Sequence, residues 1–218
     1  FTSINCFAQL FGGGPELSSL NQFNDGKFKF QSVKSIYWPQ IANSGKVYVN
    51  QAEKVWVPAE LFIPKNNKGK VPAMVVVHGI GGLYNSSGHK RAYWEYAEML
   101  ADNGVAAIIV DSHGARVTNM LGSSAVSVYS FAADAFAAAD ILRTHPMIDA
   151  NQIGIMGFSK GGLTTLLTTD QRLVGALSKS KSKFNLHISI YPGCQVFPDK
   201  LQTTYSPVYM LLGEKDNY

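Results

Sequence analysis

The sequence predicts an α/β domain with a mostly parallel sheet and an antiparallel hairpin at its start, and three features carry that expectation. Continuous apolar runs of strand length recur along the chain, among them "AMVVVHG", "VAAIIVD" and "IGIMGF", as strands buried on both faces do. Segments of helical periodicity separate them, including "RAYWEYAEMLADNG" and "SAVSVYSFAADAFAAADILRTHP". Glycine and proline fall at the joints, so strand, helix and strand alternate in the βαβ manner.

Taken in order, the chain opens on "FAQLFGGGPELSSLNQF", where Gly12, Gly13, Gly14 and Pro15 form a breaker cluster. Residues 1–45 are therefore expected to be an arm or loop region, and 46–218 the α/β domain. "KVYVNQAEKVWVPAELFIPK" alternates on either side of Asn50–Gln51 and predicts two antiparallel strands, Val47–Val49 and Val55–Phe62. Beyond Lys70 come a buried strand, a helix that Gly104 stops, a second buried strand, and an alanine-rich helix that Pro146 ends. The strand "IGIMGF", the helix "GGLTTLLTTDQ" and the strands "NLHISIYPG" and "PVYMLLG" complete the series. In such a sheet the ligand site belongs at the carboxyl ends of the strands.

Composition narrows the function. The 218 residues are 46% hydrophobic and 16% charged with a formal charge of +4, ordinary for a globular domain. No apolar run approaches the roughly 18 residues a membrane span needs. Lys179, Lys181 and Lys183 in "LSKSKSKF" lack interleaved aromatics, which reads as a solvated loop rather than a nucleic-acid surface. Cys6 and Cys194 have no CxxC spacing and the five histidines are scattered, so no metal or organic cofactor is expected. The chain starts at Phe1, as a trimmed precursor or an excised domain does. Nothing in the composition speaks to oligomeric state.

The chemistry concentrates in "GIMGFSKGG". Gly157-Phe158-Ser159-Lys160-Gly161 fits G-x-S-x-G and falls between an apolar strand and a helix, the context in which a sharp turn, the nucleophile elbow, lifts a serine Oγ above the sheet. Glycines there let strand and helix approach, and the helix amino terminus offers N–H groups to a developing oxyanion. A plain glycine turn is the competing reading. A dinucleotide or P-loop site fits poorly, because neither G-x-G-x-x-G nor G-K-[ST] is present. The loop His78-Gly79-Ile80-Gly81-Gly82 follows "AMVVV", and its Ile80 N–H is expected to join that of Lys160 in an oxyanion hole. His78 itself is expected to be structural. In "MLLGEKD" the carboxylates of Glu214 and Asp216 follow a buried strand, in the chain order serine then acid. His113 and Arg116 in "DSHGAR" are candidates for the pocket wall, Arg116 also for a structural ion pair.

Through "HGIGG", "DSHGAR", "GFSKGG", "YPGC" and "LLGEKD" the stretch from Val55 to Tyr218 resembles the dienelactone hydrolase family of α/β-hydrolases. The resemblance implies an α/β-hydrolase fold, with Ser159 as nucleophile and Asp216 as the acid that orients a histidine. The founding enzymes carry cysteine at the nucleophile position, so Ser159 looks like the serine branch and the implied substrate is a small carboxylic ester. The family's histidine follows one strand beyond the acid, whereas this sequence ends at Tyr218; the expectation is that the final strand, helix and base lie outside it and that this stretch alone is nearly inactive. Cys194 at another strand end reads as either a packed thiol or half of a disulfide; similar "YPGC" members imply a partner for it downstream, which would favour a periplasmic or secreted location. A non-catalytic binding module of the same fold is the alternative reading, and a peptidase of that fold a third.

Overall fold

A computed structural model describes residues 26–33, 40–41, 47–48, 54–65, 67–114, 116, 126–193 and 201–216. Both cysteines, Cys6 and Cys194, lie outside the described residues. The strands are β1 (Lys27–Val33), β2 (Gln40–Ile41), β3 (Val47–Tyr48), β4 (Lys54–Phe62), β5 (Val71–Val77), β6 (Ala106–Val110), β7 (Ile148–Phe158), β8 (Leu186–Ile190) and β9 (Val208–Leu211). The helices are α1 (Tyr93–Asp102), α2 (Val128–Thr144), α3 (Lys160–Leu167) and α4 (Gln171–Leu177). Seven strands form one sheet in the order β1-β4-β6-β5-β7-β8-β9. It is parallel from β6 to β9, and β1 and β4 run antiparallel at its other edge.

The antiparallel start is present with a different partner from the one expected. Val55–Phe62 pairs with Lys27–Val33 in the main sheet, while Val47–Tyr48 pairs with Gln40–Ile41 in a separate two-stranded sheet. β1 therefore falls inside the stretch read as an arm. Its sequence has the strand signature, since Phe28 and Phe30 are buried while Lys27 and Lys29 are exposed. A strand of alternating phenylalanines stabilises a sheet edge more than a two-residue partner does, because it buries one apolar face along its length.

The pleat sends successive residues of the central strands to opposite layers. Ala73, Val75 and Val77 of β5 pack with α2, Leu163 and Leu167, and Met74 and Val76 pack with Trp94 and Ala97 of α1. Helix α2 begins at Ser127, whose hydroxyl accepts from Ser130 N–H at 3.1 Å, and stops at His145 before Pro146. The helix expected over "GGLTTLLTTDQ" ends earlier, at Leu167, and a further helix, α4, starts at Gln171. Asp170 starts α4 by accepting from Arg172 N–H at 2.9 Å, and an N-cap carboxylate is a more favourable place for aspartate than a helix interior.

Several polar groups are sealed into this core. Asp134 of α2 is fully buried and holds Arg116 in a two-pronged ion pair, 2.8 and 2.9 Å. Burial pushes the Asp134 carboxyl up and the guanidinium pulls it back. His187 in β8 lies edge-on to Phe184 at 5.9 Å, and burial lowers its pKa to about 4. Burial likewise lowers His78 to about 4 and His113 to about 3, with His78, Lys160 and Arg116 adding to the shift in His113.

Two predictions follow from this packing. A Cβ on Gly161 would lie 2.4 Å from Val77 O and 2.7 Å from His78 O, whereas one on Gly175 meets nothing within 4 Å. Gly161→Ala is expected to lose about 2 kcal/mol or more in urea unfolding through overpacking, and Gly175→Ala, inside α4, to gain up to about 1 kcal/mol. The histidines set an acid limit, since a histidine in the unfolded chain takes up its proton near the ordinary 6.5 while the folded His78 and His187 do so only near 4. Stability is thus present above about pH 6.5 and falls as pH drops toward 4, by about one bound proton per buried histidine. Melting curves from pH 7 to 4.5 should show that fall, and His187→Leu should reduce its slope.

Candidate active site

Three strand ends meet at the carboxyl edge of the parallel sheet. The last residue of β7 is Phe158, and the next, Ser159, has φ 52° and ψ −112° before α3 begins at Lys160. This left-handed conformation costs a side-chain-bearing residue roughly 1–3 kcal/mol and persists only where its surroundings enforce it. The enforcement is visible in the contacts: Ser159 N–H donates to Ile190 O of β8 at 2.9 Å, and Ser159 O accepts from Leu163 N–H of α3 at 2.9 Å. The turn is also tight enough that a Cβ on Gly157 would sit 2.1 Å from Gly161 O. Ser159 Oγ makes no cap hydrogen bond to its own helix, so the hydroxyl is not consumed by the local structure. The first N–H groups of α3, that of Lys160 among them, have no intrahelical acceptor, as at any helix start.

The loop after β5 closes over this turn. A Cβ on Gly79 would lie 3.5 Å from Ser159 Cβ, so the backbones come close. Gly79 N–H donates to the Tyr93 hydroxyl at 3.0 Å, and Gly82 N–H donates to Gly79 O at 3.1 Å. Among the described residues, the N–H groups of Ile80 and Gly81 have no protein acceptor. The loop is thus held at its ends with its middle donors available. Tyr93, on the first turn of α1, escaped the sequence reading because its hydroxyl reaches Gly79 only through tertiary packing.

His78 anchors the loop from below. Its Nδ1 donates to Gly79 O at 2.7 Å, which leaves Nε2 unprotonated in a neutral ring. Nε2 stands 3.8 Å from Asp111 Oδ1, and with the pKa lowered to about 4 by burial this is no ion pair near neutral pH. His113 packs edge-on against His78 at 4.6 Å and against Phe131 at 5.3 Å. Lys160 Nζ lies over the Phe131 ring at 5.2 Å, and burial lowers its pKa to about 8. A half-buried cation therefore sits one residue from Ser159 and biases both imidazoles toward neutrality. Arg116 is bound by Asp134 and donates to Ser112 O at 2.9 Å, the ion-pair alternative of its two readings.

The remaining candidate residues are distributed over several elements. Asp216 follows β9 and is exposed, with its N–H donating to Gly213 O at 3.1 Å; Glu214 precedes it in the same turn. His89 lies in an exposed turn whose N–H donates to Asn85 Oδ1 at 2.9 Å. His145 caps α2, and His187 is in mid-strand opposite Ile155 and Val208. Aromatic side chains that the sequence reading did not select gather beside Ser159. Phe158 contacts the rings of Tyr93, Tyr96 and Tyr191 with centroids 5.2, 4.9 and 6.1 Å away. Tyr93 and Tyr96 lie one turn apart on α1 and Tyr191 follows β8, and no motif in the sequence links the two places.

Comparison with known proteins fits this architecture. The structure is similar to a dienelactone hydrolase-like promiscuous phosphotriesterase from metagenomic libraries, with 21% identity, a TM-score of 0.56, and coverage of 88% of this chain and 70% of that one. An esterase from Thermogutta terrifontis with butyrate bound gives 22% identity and a TM-score of 0.50, over 67% of this chain and 52% of that one. An esterase from Butyrivibrio proteoclasticus gives 21% identity and a TM-score of 0.45, over 63% and 47%. The chain spans about half the length of these esterases. No curated protein sequence matches it. At such identities the first two of these structures support the fold alone, and the family model for dienelactone hydrolases matches residues 57–218, so the chain belongs to the dienelactone hydrolase family.

Proposed function

We propose that the protein is a serine hydrolase acting on a small carboxylic ester, with Ser159 as its nucleophile. The observation that carries this reading is the left-handed turn at Ser159, φ 52°, between β7 and α3. A hydroxyl on such a turn stands clear of both elements, with a helix amino terminus beside it, which suits attack on a carbonyl. In the proposed reaction Ser159 Oγ bonds to the ester carbonyl carbon and its proton passes to a histidine base. The carbonyl oxygen becomes an oxyanion held by the N–H groups of Ile80 and Lys160. Collapse breaks the bond to the alcohol oxygen, which leaves with the proton from the base, and water then releases the acid from the acyl-serine.

Asp216 is the proposed acid. β7 and β9 are separated by one strand, so their backbones are roughly 10 Å apart, an interval that an imidazole, its two hydrogen bonds and the serine and aspartate side chains together can span. Its carboxylate would hold the tautomer and stabilise the imidazolium. None of the five histidines is assigned as the base. His78 and His113 follow β5 and β6, on the side of β7 away from Asp216, and the other three are placed at an exposed turn, a helix end and mid-strand. His113 belongs to the wall beneath the glycine loop, and Arg116 to the ion pair that fastens that wall.

A fluorophosphonate probe is expected to label Ser159 in the intact natural protein, and Ser159→Ala to abolish turnover of short-chain aryl esters; unchanged turnover in that variant would remove the proposal. Asp216→Asn should lower kcat by about 10³–10⁴ with little change in KM, while Glu214→Gln should stay near wild type. The reverse ranking would move the acid to Glu214.

A further inference from the structure

We propose that the Tyr93 hydroxyl is a third oxyanion donor, hydrogen-bonding the carbonyl oxygen of the ester beside the N–H groups of Ile80 and Lys160. The inference rests on the Ser159 reading above and extends it to a side chain outside both glycine motifs.

The hydroxyl is fixed from three sides. Tyr93 is the first residue of α1, and its ring packs edge-on against Phe158 with centroids 5.2 Å apart and lies tilted to His78 at 6.4 Å. Those neighbours belong to the turn that carries Ser159 and to the foot of the loop that closes over it. The Tyr93 oxygen accepts the Gly79 N–H at 3.0 Å, from the residue directly before Ile80. A Cβ on Gly79 would lie 3.5 Å from Ser159 Cβ and 3.6 Å from the Tyr93 oxygen, so that oxygen is no more than about 7 Å from the carbon bearing the Ser159 hydroxyl. The oxyanion of a tetrahedral intermediate stands two bonds beyond the serine Oγ, and its donors stand roughly 2.7–3.1 Å from it. That span fits inside the limit.

Only half of the hydroxyl is used. A phenol donates one proton and accepts on its oxygen. The Gly79 N–H fills the accepting side, whereas the proton has no acceptor among the described residues, although Tyr93 is buried, 8% exposed. A buried donor without a partner is costly, and the N–H that donates to the oxygen polarises the O–H into a stronger donor. Burial pushes the Tyr93 pKa up, while the Gly79 N–H and Arg91 pull it back, with the net shift upward. The group therefore keeps its proton at neutral pH and acts as a neutral donor, sharing that proton with the oxyanion without releasing it. Holding Gly79 in place is the competing task, and it needs the oxygen alone. Fluorination of the ring separates the two, because it weakens the oxygen as an acceptor and strengthens the O–H as a donor.

In the intact natural protein, Tyr93→Phe is expected to lower kcat on a short-chain ester by about 10²–10³ with KM within about twofold. Inhibition by an alkylboronic acid, whose tetrahedral serine adduct places an oxygen where the oxyanion forms, should weaken by a similar factor. An enzyme carrying 3-fluorotyrosine at position 93, assayed where its hydroxyl is still protonated, should hold or raise kcat. A Tyr93→Phe enzyme within about twofold of wild-type kcat, or a fluorotyrosine enzyme whose kcat falls alongside it, would reduce the hydroxyl to an anchor for Gly79 and overturn the proposal. An inert Ser159→Ala beside an unimpaired Tyr93→Phe would overturn the Tyr93 assignment alone, whereas turnover that survives Ser159→Ala would remove the reading beneath it.

Discussion

The structure depends on how closely α3 approaches the ends of β5 and β7. Gly157 and Gly161 make that approach, since a Cβ at either would meet backbone oxygen at 2.1 or 2.4 Å. Contact at this range forces the chain to reverse within one residue, and Ser159 takes the positive φ that the reversal requires. The same contact brings the glycine loop after β5 against Ser159, because Val77 and His78 are the residues whose oxygens Gly161 touches. Helix position and hydroxyl presentation are thus consequences of one steric condition. The strain at Ser159 is offset by the packing of both layers on β5 and β7.

Much of the architecture was legible because the central strands are buried on both faces. A run such as Val75, Val76 and Val77 has only one way to satisfy both layers, and the alternation with helices then dictates parallel pairing. The partner of Val55–Phe62 was not legible. The alternating strand KFKFQSV lies more than twenty residues upstream of it, and a pattern of period 2 states which face is buried, not which strand lies alongside. The end of α3 at Leu167 was missed for a local reason. Asp170 is compatible with a helix by pattern, and its capping geometry appears only once Arg172 N–H is seen to reach it.

At the candidate site, the turn at Ser159 and the loop from His78 to Gly82 were legible because glycine spacing reports backbone geometry directly. The supports of that loop were not. Tyr93 reaches Gly79 from a different element, and the aromatic group around Phe158 is assembled from α1 and the turn after β8. His113 and Arg116 were both visible as residues beyond a strand end, but only the buried Asp134 discloses that Arg116 is a fastening. Side chains whose work is to hold other groups in place leave no motif, since any residue of suitable reach and polarity can do it.

The ion pair between Arg116 and Asp134 also bears on how the carboxyl-edge wall answers to its medium. Dissolved salt screens charges that face solvent within a Debye length of about 8 Å at physiological ionic strength, and screens buried pairs far less. Asp134 is fully buried and the Arg116 side chain is 6% exposed, so the clamp lies beyond the reach of mobile ions. The loop carrying His113 consequently keeps its place against α2 from dilute buffer to brine, while the exposed lysines of the same molecule feel every change in the surrounding electrolyte.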